Sequence, residues 1–388
     1  MNFLLFLSVL PLSFAWPAPP YSNQSSFATD LTAGGLSEFA KRAAAPVLYP
    51  WPGKLKKGGC DEHIDDINQA YDQALEIAAA GSTALDLLKS ARPKAGNDAS
   101  ADEQNKALKW DKYQQSLKDL FNIEVDSKTE PDDAMKAKIT NVQDKLKAIA
   151  DKKGSQGAAR DADKPKLFCG EKGIDTLEAG KKLRDSDKKE KPAGKYGAWV
   201  FPFHNAKDAD GKKDDAHHIP STKINKKKAQ KDLDHPCDEG GDNALALTMM
   251  DANAIFICDG GMKKLQTKLA TPEEGKTMRK SMEKTRSLAD TLLHEMLHLF
   301  QDLEDVDKVK FADKKDDEPE WEDKDNKVPK RDDAAVYGYL ASYQLAKYVS
   351  ADALKTVETY VWFAISAYEE DWKFEGKDGE AKKMSYKK

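Results

Sequence analysis

The stretch TLLHEMLHLF, residues 291–300, decides the fold class because it joins a metal-binding pattern to an apolar helix. His294 and His298 lie four residues apart, so a helix places both imidazoles on one face, where they can bind one ion. Glu295 can reach a water on that ion and take its proton. The apolar neighbours would bury the helix and hold the ligands still. The pattern therefore predicts a zinc site with its catalytic base.

The same ten residues have a simpler interpretation, an apolar core helix whose two histidines are hydrogen-bonded within the protein. An HExxH pattern arises by chance in about one chain in a hundred of this composition. Its position on an apolar helix, in a chain with the features of a secreted precursor, favours the metal site.

Composition limits the function classes. The chain has 388 residues, and its 67 acidic side chains nearly balance its 62 basic ones. A nucleic-acid binder would show a strong basic bias, so this class is not expected. Only 39 % of the residues are hydrophobic, which predicts a packed core with long solvated insertions. Beyond the N-terminus no segment is long and apolar enough to cross a bilayer.

The N-terminal region has the features of a secreted precursor. Residues 1–15, MNFLLFLSVLPLSFA, are apolar and end in Ser13-Phe14-Ala15, which suits signal peptidase; a buried N-terminal helix is the alternative. Lys41-Arg42 resembles a dibasic processing site, so residues 16–42 are interpreted as a short propeptide. The remaining residues, 43–388, are expected to form a single catalytic domain.

Four cysteines, Cys60, Cys169, Cys237 and Cys258, are an even number, which in a secreted chain predicts two disulfides. Three pairings are open at this point. A structural zinc held by four thiolates is disfavoured because the chain has no CxxC pair.

The pattern along the chain predicts an α+β fold that is mostly helical, with a small β-sheet. Residues 43–195 form a helical upstream part, with amphipathic helices at 61–90, 103–121 and 132–151. Residues 196–375 hold the strand AIFIC, 254–258, and the active-site helices, one at about 276–301 and more from 333 to about 370. Residues 302–332 are rich in acids and are interpreted as a charged insertion.

A catalytic zinc needs a third protein ligand and one open position. A further histidine of the metzincin type is excluded, because Gln301 and Glu304 stand where that motif needs glycine and histidine. A glutamate on a later helix is one solution, with Glu358, Glu369 and Glu370 as candidates. An aspartate is the other.

Two segments resemble the aspzincins, the deuterolysin and peptidyl-Lys metalloendopeptidase family. KRDDAAVYGY, 330–339, contains Tyr337-Gly338, and ETYVWFA, 358–364, matches a later helix. In that family HExxH is followed by Gly-Thr-x-Asp-x-x-Tyr-Gly, in which the aspartate is the third zinc ligand and the tyrosine stabilises the oxyanion. The resemblance implies a zincin-like metalloprotease fold and gives Tyr337 the oxyanion role.

The aspartate of this motif is shifted in the present chain. Ala334 stands three residues before Tyr337, and Asp333 stands four before it. On a helix, residues four apart still share a face, so Asp333 is the favoured third ligand. Alternatively, the acids before Tyr337 only stabilise a helix N-terminus. The other acids considered as ligands are Asp332, Asp302 and Asp305.

The resemblance also implies other features. In lysine-selective members two acids on the later helix line the S1′ pocket; here Glu358 matches the first, and Val361 replaces the second. Glu358 is therefore a candidate substrate-binding residue, or else an ordinary exposed acid. The family's cysteine order implies Cys60–Cys169 and Cys237–Cys258 pairs. The AIFIC strand would be a sheet edge for an extended peptide.

Together these features predict a secreted, monomeric zinc endopeptidase made as a precursor. One catalytic Zn²⁺ is held by His294, His298 and Asp333, Glu295 is the base, and Tyr337 stabilises the oxyanion. The expected partners are protein or peptide substrates, with no nucleic acid and no membrane. The alternative is a catalytically degenerate secreted interaction protein on the same fold. A third hypothesis is a helical ligand-binding protein without metal.

Overall fold

The computed structural model describes residues 48–50, 59–152, 165–170, 245–250, 253–258, 266–272, 287–310 and 330–387. It also describes short strands between 175 and 219 and the single residues Cys237, Gly261 and Gly275. All of these residues belong to one compact unit, Ala45–Lys388. The predicted signal peptide and propeptide lie outside the described residues, as does the part of the predicted active-site helix before Ser287.

Helices dominate the described part of the chain. After a 3-10 turn at Asp61–His63, they are α1 (Ile64–Leu88), α2 (Ala101–Phe121), α3 (Asp133–Ala150), α4 (Leu288–Gln301), α5 (Tyr339–Tyr348), α6 (Ser350–Ala353) and α7 (Val357–Tyr368). The three upstream helices agree with the prediction to within a few residues. The mixed α+β class is therefore confirmed.

Side-chain caps determine where several helices begin. The Ser100 hydroxyl accepts a hydrogen bond from the backbone N–H of Glu103, and the Glu103 carboxylate accepts one from the Ser100 backbone. Ser287 and Asp290 form the same reciprocal box before α4. Such boxes satisfy N–H groups that have no partner within the helix. The start of α4 is therefore fixed by local chemistry.

The strands are short. They are β1 (Tyr49–Pro50), β2 (Lys166–Phe168), β3 (Asp175–Leu177), β4 (Lys182–Arg184), β5 (Glu190–Pro192), β6 (Ala198–Val200), β7 (Ala206–Lys207), β8 (Lys213–Asp214), β9 (His218–Ile219), β10 (Ala246–Met249), β11 (Ala254–Ile257), β12 (Asp307–Lys310), β13 (Lys330–Ala335), β14 (Trp372–Glu375) and β15 (Glu380–Lys383). β3, β6 and β9 form a small antiparallel sheet, and β4–β5, β7–β8, β12–β13 and β14–β15 form antiparallel pairs.

The sheet next to the HExxH helix has the strand order β1-β2-β11-β10. β1, β2 and β11 run parallel, and β10 pairs antiparallel with β11. The prediction that AIFIC forms the sheet edge is therefore wrong, because β11 lies between two strands. Its residues Ala254–Ile257 are all buried, which suits an inner strand. Within the described residues the edge next to α4 is β10.

The chain before Tyr337 also differs from the prediction. A helix was expected from residue 333, but residues Lys330–Ala335 form β13, which pairs with β12. The helix α5 begins only at Tyr339, with Gly338 as its N-cap at a φ of 86°. Pairing with β12 satisfies the backbone of this polar segment, which lacks a helical apolar pattern. A backbone hydrogen bond from the N–H of Val336 to the carbonyl of Val306 closes the base of the hairpin at 2.8 Å.

The core is one large apolar cluster in which α1 is central, packed against α3, α4 and α7. The helices approach closely at Gly81 of α1, where an added Cβ would lie 3.1 Å from the Cα of Ala364 and 2.8 Å from a methyl of Leu146. Phe121 of α2 contacts the rings of Tyr360 and Phe363 of α7 edge-on. The core therefore holds α4 and α7 in fixed relation.

Two disulfides tie the described parts together. Cys60 is bonded to Cys169, and Cys237 to Cys258, which are the pairs that the resemblance implied. The first joins the start of α1 to the end of β2, and the second fixes the residue after β11. Among the helices described, none is long and apolar enough to cross a membrane.

Candidate metal centre

The buried helix α4 presents His294 and His298 to a common point. Its other face, which includes Leu292, Leu293 and Met296, is fully buried in the core. The Nε2 atoms of the two histidines lie 3.2 Å apart. Residues one helical turn apart share a face, so this convergence follows from the four-residue spacing.

Hydrogen bonds at the other ring nitrogen orient both imidazoles. Nδ1 of His298 lies 2.6 Å from the carbonyl oxygen of Leu303, which can only accept, so this nitrogen donates. Nδ1 of His294 lies 3.2 Å from Oε2 of Glu358, a carboxylate acceptor. In the neutral imidazole each Nε2 then carries a lone pair that faces the common point. This is the tautomer that a metal ligand requires.

Asp305 supplies a carboxylate at the same point. Its Oδ1 lies 3.3 Å from Nε2 of His294, and its Oδ2 lies 3.3 Å from Nε2 of His298. The local cause is the end of α4, where Asp302 adopts a left-handed conformation with a φ of 53°. That residue ends the helix and turns the chain back, so that Leu303 and Asp305 reach the two imidazoles.

The geometry of the three residues fits a metal ion. Four ligands at about 2.0–2.1 Å from a tetrahedral zinc lie about 3.3 Å from one another. The two Nε2 atoms lie 3.2 Å apart, and each lies 3.3 Å from a different oxygen of the Asp305 carboxylate, so the three side chains converge on one point. In the described part of the chain these three residues form a group able to hold a metal ion. Oδ1 of Asp305 is buried and accepts no hydrogen bond there, which is unfavourable without a cation.

The electrostatics also favour a cation. Burial lowers the pKa of His294, but the carboxylates of Asp305 and Glu358 outweigh this effect and raise that pKa well above its ordinary value. Burial raises the pKa of Asp305, but His294 and His298 outweigh it and hold the Asp305 pKa well below its usual range. The first direction shows that the carboxylates stabilise positive charge at His294, and the second shows that positive charge at the imidazoles stabilises the Asp305 carboxylate.

Glu358, at the start of α7, joins three elements around the site. It is 3 % exposed. Its Oε2 faces His294, while its Oε1 accepts hydrogen bonds from the backbone N–H of Gly338 at 2.7 Å and from the indole of Trp362 at 3.1 Å. The alternative of an ordinary exposed acid is therefore wrong. A substrate-binding role for Glu358 stays a prediction, but the contacts it makes orient a histidine.

Tyr337 lies between the hairpin and α5 with its side chain directed at the site. Its hydroxyl donates to Oδ2 of Asp305 at 3.0 Å, and its ring stacks near His294. Burial of the hydroxyl and the nearby charge of Asp305 raise the pKa of Tyr337, so the phenol keeps its proton. The residue as a whole is 51 % exposed. A ligand in the site can therefore meet a neutral hydrogen-bond donor here.

Glu295 lies next to the cluster and is held by the edge strand β10. The hydroxyl of Thr248 lies 2.6 Å from Oε2 of Glu295 and 3.0 Å from its backbone carbonyl oxygen. Glu295 is buried to 6 % exposure, in the same range as His294. The structure thus brings a carboxylate close to the two imidazoles.

The histidines, Glu295 and Tyr337 lie together as the sequence suggested, but the described carboxylate between the imidazoles belongs to Asp305. Asp333 lies in β13, and its side chain is outside the described residues, so its assignment as a ligand stays a prediction. The sequence favours Asp333 over Asp305 because Asp305 belongs to no continuous motif. The available signal was its position seven residues after His298, just beyond the helix end.

No protein-family model matches the chain, and no curated protein is similar enough to count as a match. The functional reading therefore rests on the sequence and on this site.

Proposed function

We propose that the protein is a secreted, zinc-dependent endopeptidase of the aspzincin type, with His294, His298 and Asp305 as the zinc ligands. The observation that supports this proposal most strongly is the convergence of two imidazole nitrogens and the Asp305 carboxylate, at 3.2–3.3 Å, beside Glu295. Asp305 replaces Asp333 in this proposal because its carboxylate contacts both imidazoles.

The hairpin β12–β13 supplies independent support. Val306 and Val336, which flank residues 307–335 in the sequence, are joined by a backbone hydrogen bond, and β12 and β13 pair beside them. Without that hairpin the chain would read Asp305-Val306-Val336-Tyr337-Gly338, which has the Asp-x-x-Tyr-Gly spacing of the aspzincins. The hairpin is thus an insertion within the motif, and it explains why the expected aspartate is absent three residues before Tyr337.

The residues have distinct roles in the proposed hydrolysis. Zinc held by the cluster would activate a water and polarise the scissile carbonyl. Glu295 accepts the proton of the attacking water and later donates it to the leaving amine. Tyr337, which keeps its own proton, donates a hydrogen bond to the developing oxyanion. Glu358 keeps His294 in the tautomer that binds metal.

Secretion belongs to the same proposal. Both disulfides join segments distant in sequence, and such bonds persist in oxidising compartments. The N-terminal sequence has the features of a signal peptide followed by a dibasic site. The mature enzyme would begin near Ala43.

The test is zinc content together with cleavage of casein by the mature chain from Ala43, beside the Glu295→Gln variant. We expect about one zinc per chain in both proteins, with hydrolysis in the wild type and a loss of roughly 100-fold or more in the variant. Bound zinc with no hydrolysis by the wild type would favour the degenerate interaction protein. A folded protein that binds no zinc would refute the metal site.

A further inference from the structure

We propose that Thr248 is a positioning residue that fixes the carboxylate of Glu295 toward the metal site, an inference that rests on the proposed function. Thr248 lies in β10, opposite Ile255 of β11, and its hydroxyl reaches across to α4. No motif of the sequence points to it. It is brought to Glu295 only by the packing of the edge strand on the helix.

The contact is short and has two acceptors. The hydroxyl oxygen lies 2.6 Å from Oε2 and 3.0 Å from the backbone carbonyl oxygen of the same glutamate. Both neighbours can only accept, so Thr248 is the donor. A donor placed between a side chain and its own backbone fixes the side chain relative to the helix axis. The hydrogen bond to an ionised carboxylate is of the stronger kind.

The contact with Thr248 leaves the other carboxylate oxygen of Glu295, Oε1, available to a ligand. In the described residues no group donates a hydrogen bond to Oε1 of Glu295. With Oε2 held by Thr248, Oε1 is the atom available to a water beside His294 and His298. A glutamate side chain has three rotatable bonds, and proton transfer requires a heavy-atom distance of about 2.6–3.2 Å. Holding one oxygen therefore reduces the number of orientations that the base can adopt.

The experiment compares Thr248→Val, which keeps the shape and removes the hydroxyl, with Thr248→Ser, which keeps the hydroxyl. Thr291→Val is the matched control, because Thr291 lies on α4 and its buried hydroxyl has no hydrogen-bond partner in the described residues. Each protein is examined in two ways. Crystal structures of the zinc-free proteins record the Glu295 carboxylate, and steady-state hydrolysis of a peptide by the zinc-loaded proteins gives kcat and KM.

We expect the Glu295 carboxylate to keep its place in the wild type, Thr248→Ser and Thr291→Val, and to move or become disordered in Thr248→Val. We expect kcat of Thr248→Val to fall by about 10- to 100-fold with little change in KM, which is the range for one hydrogen bond to a charged group. Thr248→Ser should recover most of that loss, and zinc content should be equal in all four proteins.

The inference is overturned if the carboxylate of Thr248→Val keeps its place, if kcat is unchanged, or if the loss appears in KM alone. Equal losses in Thr248→Ser and Thr248→Val would also overturn it, since a role for the hydroxyl predicts rescue. The crystal structures separate this failure from a failure of the proposed function. In one outcome, the wild type hydrolyses no peptide while the Glu295 carboxylate is displaced in Thr248→Val and in place in Thr248→Ser. In that case the positioning role stands and the peptidase proposal fails.

Discussion

The hydroxyl of Tyr337 donates to Oδ2 of Asp305 across 3.0 Å, although the two residues lie 32 positions apart in the chain. β12 begins at Asp307, two residues after Asp305, and β13 ends at Ala335, two residues before Tyr337. The segment between Asp305 and Tyr337 therefore lengthens the sequence without separating the two side chains. Lengthening the chain between two fixed points costs little additional closure entropy. The pair thus joins the C-terminal end of α4 to the segment that precedes α5.

The first prediction distinguishes the two candidate ligands. We expect Asp305→Asn to weaken zinc binding by more than roughly 100-fold, since even changes outside the ligand set cost 10–100-fold. Asp333→Asn is the matched control and should bind zinc like the wild type. Affinity is measured by competition with a chelator of known strength. The reverse result, with loss only at residue 333, would restore Asp333 as the ligand.

The second prediction concerns the orientation of His294. Glu358→Gln keeps the size of the side chain but removes its charge and one of its two acceptor oxygens, so zinc affinity should fall about 10–100-fold. Glu370→Gln, an exposed acid just beyond the same helix, is the control. The same chelator competition reports the effect. Equal affinities in the two variants would show that Glu358 does not act through the histidine.

The third prediction concerns the packing that holds α7. In an exposed helix, Gly→Ala stabilises by about 1 kcal/mol. At Gly81 the new Cβ would lie 2.8 Å from a methyl of Leu146 and 3.1 Å from the backbone of Ala364, and such overpacking costs about 1–3 kcal/mol. We expect Gly81→Ala to lower the free energy of unfolding by about 1 kcal/mol in urea titrations.

Gly96→Ala is the control for this change, because a Cβ there meets nothing within 4 Å. Its stability should match that of the wild type. An increase in stability for Gly81→Ala would mean that α1 and α7 move apart at little cost.

The fourth prediction concerns pH and Lys112, which is 4 % exposed and donates from Nζ to the carbonyl oxygen of Glu369 at 2.8 Å, near the end of α7. Burial lowers the pKa of Lys112 to about 7, although the neighbouring acids oppose this shift. Between about pH 7 and 10.5 the unfolded chain therefore binds more protons at this residue than the folded one. The contribution of Lys112 to the free energy of unfolding is therefore fully present above about pH 10.5. It decreases as the pH is lowered and is lost below about pH 7.

The test compares the wild type with Lys112→Met in urea at pH 7.5 and 9.5. This range lies above the pKa of Glu369, which burial raises to about 7. The free energy of unfolding of the wild type relative to the variant should rise by about 2–3 kcal/mol over these two pH units. Lys138→Met, on the exposed side of α3, should show no such rise. A difference that is independent of pH would refute the assigned cause.

Much of the fold could be predicted from local pattern. The apolar spacing of 61–90 and 132–151 gave helices close to α1 and α3, because helical periodicity is a property of a few successive turns. The prediction failed at 330–335, where the polar run pairs with β12. The strand at AIFIC was predicted correctly, but its expected position at the sheet edge is wrong, because it pairs on one side with β2 and on the other with β10.

The sequence alone determined the helix that carries His294, Glu295 and His298, because a four-residue spacing and an apolar surround are local properties. Only the tertiary structure brought Asp305 to the imidazoles, Glu358 to Nδ1 of His294 and Thr248 to Glu295. These contacts join residues on separate elements. They depend on where α4 ends, how the hairpin folds back and which strand packs on the helix, and no periodicity or short motif encodes such distances.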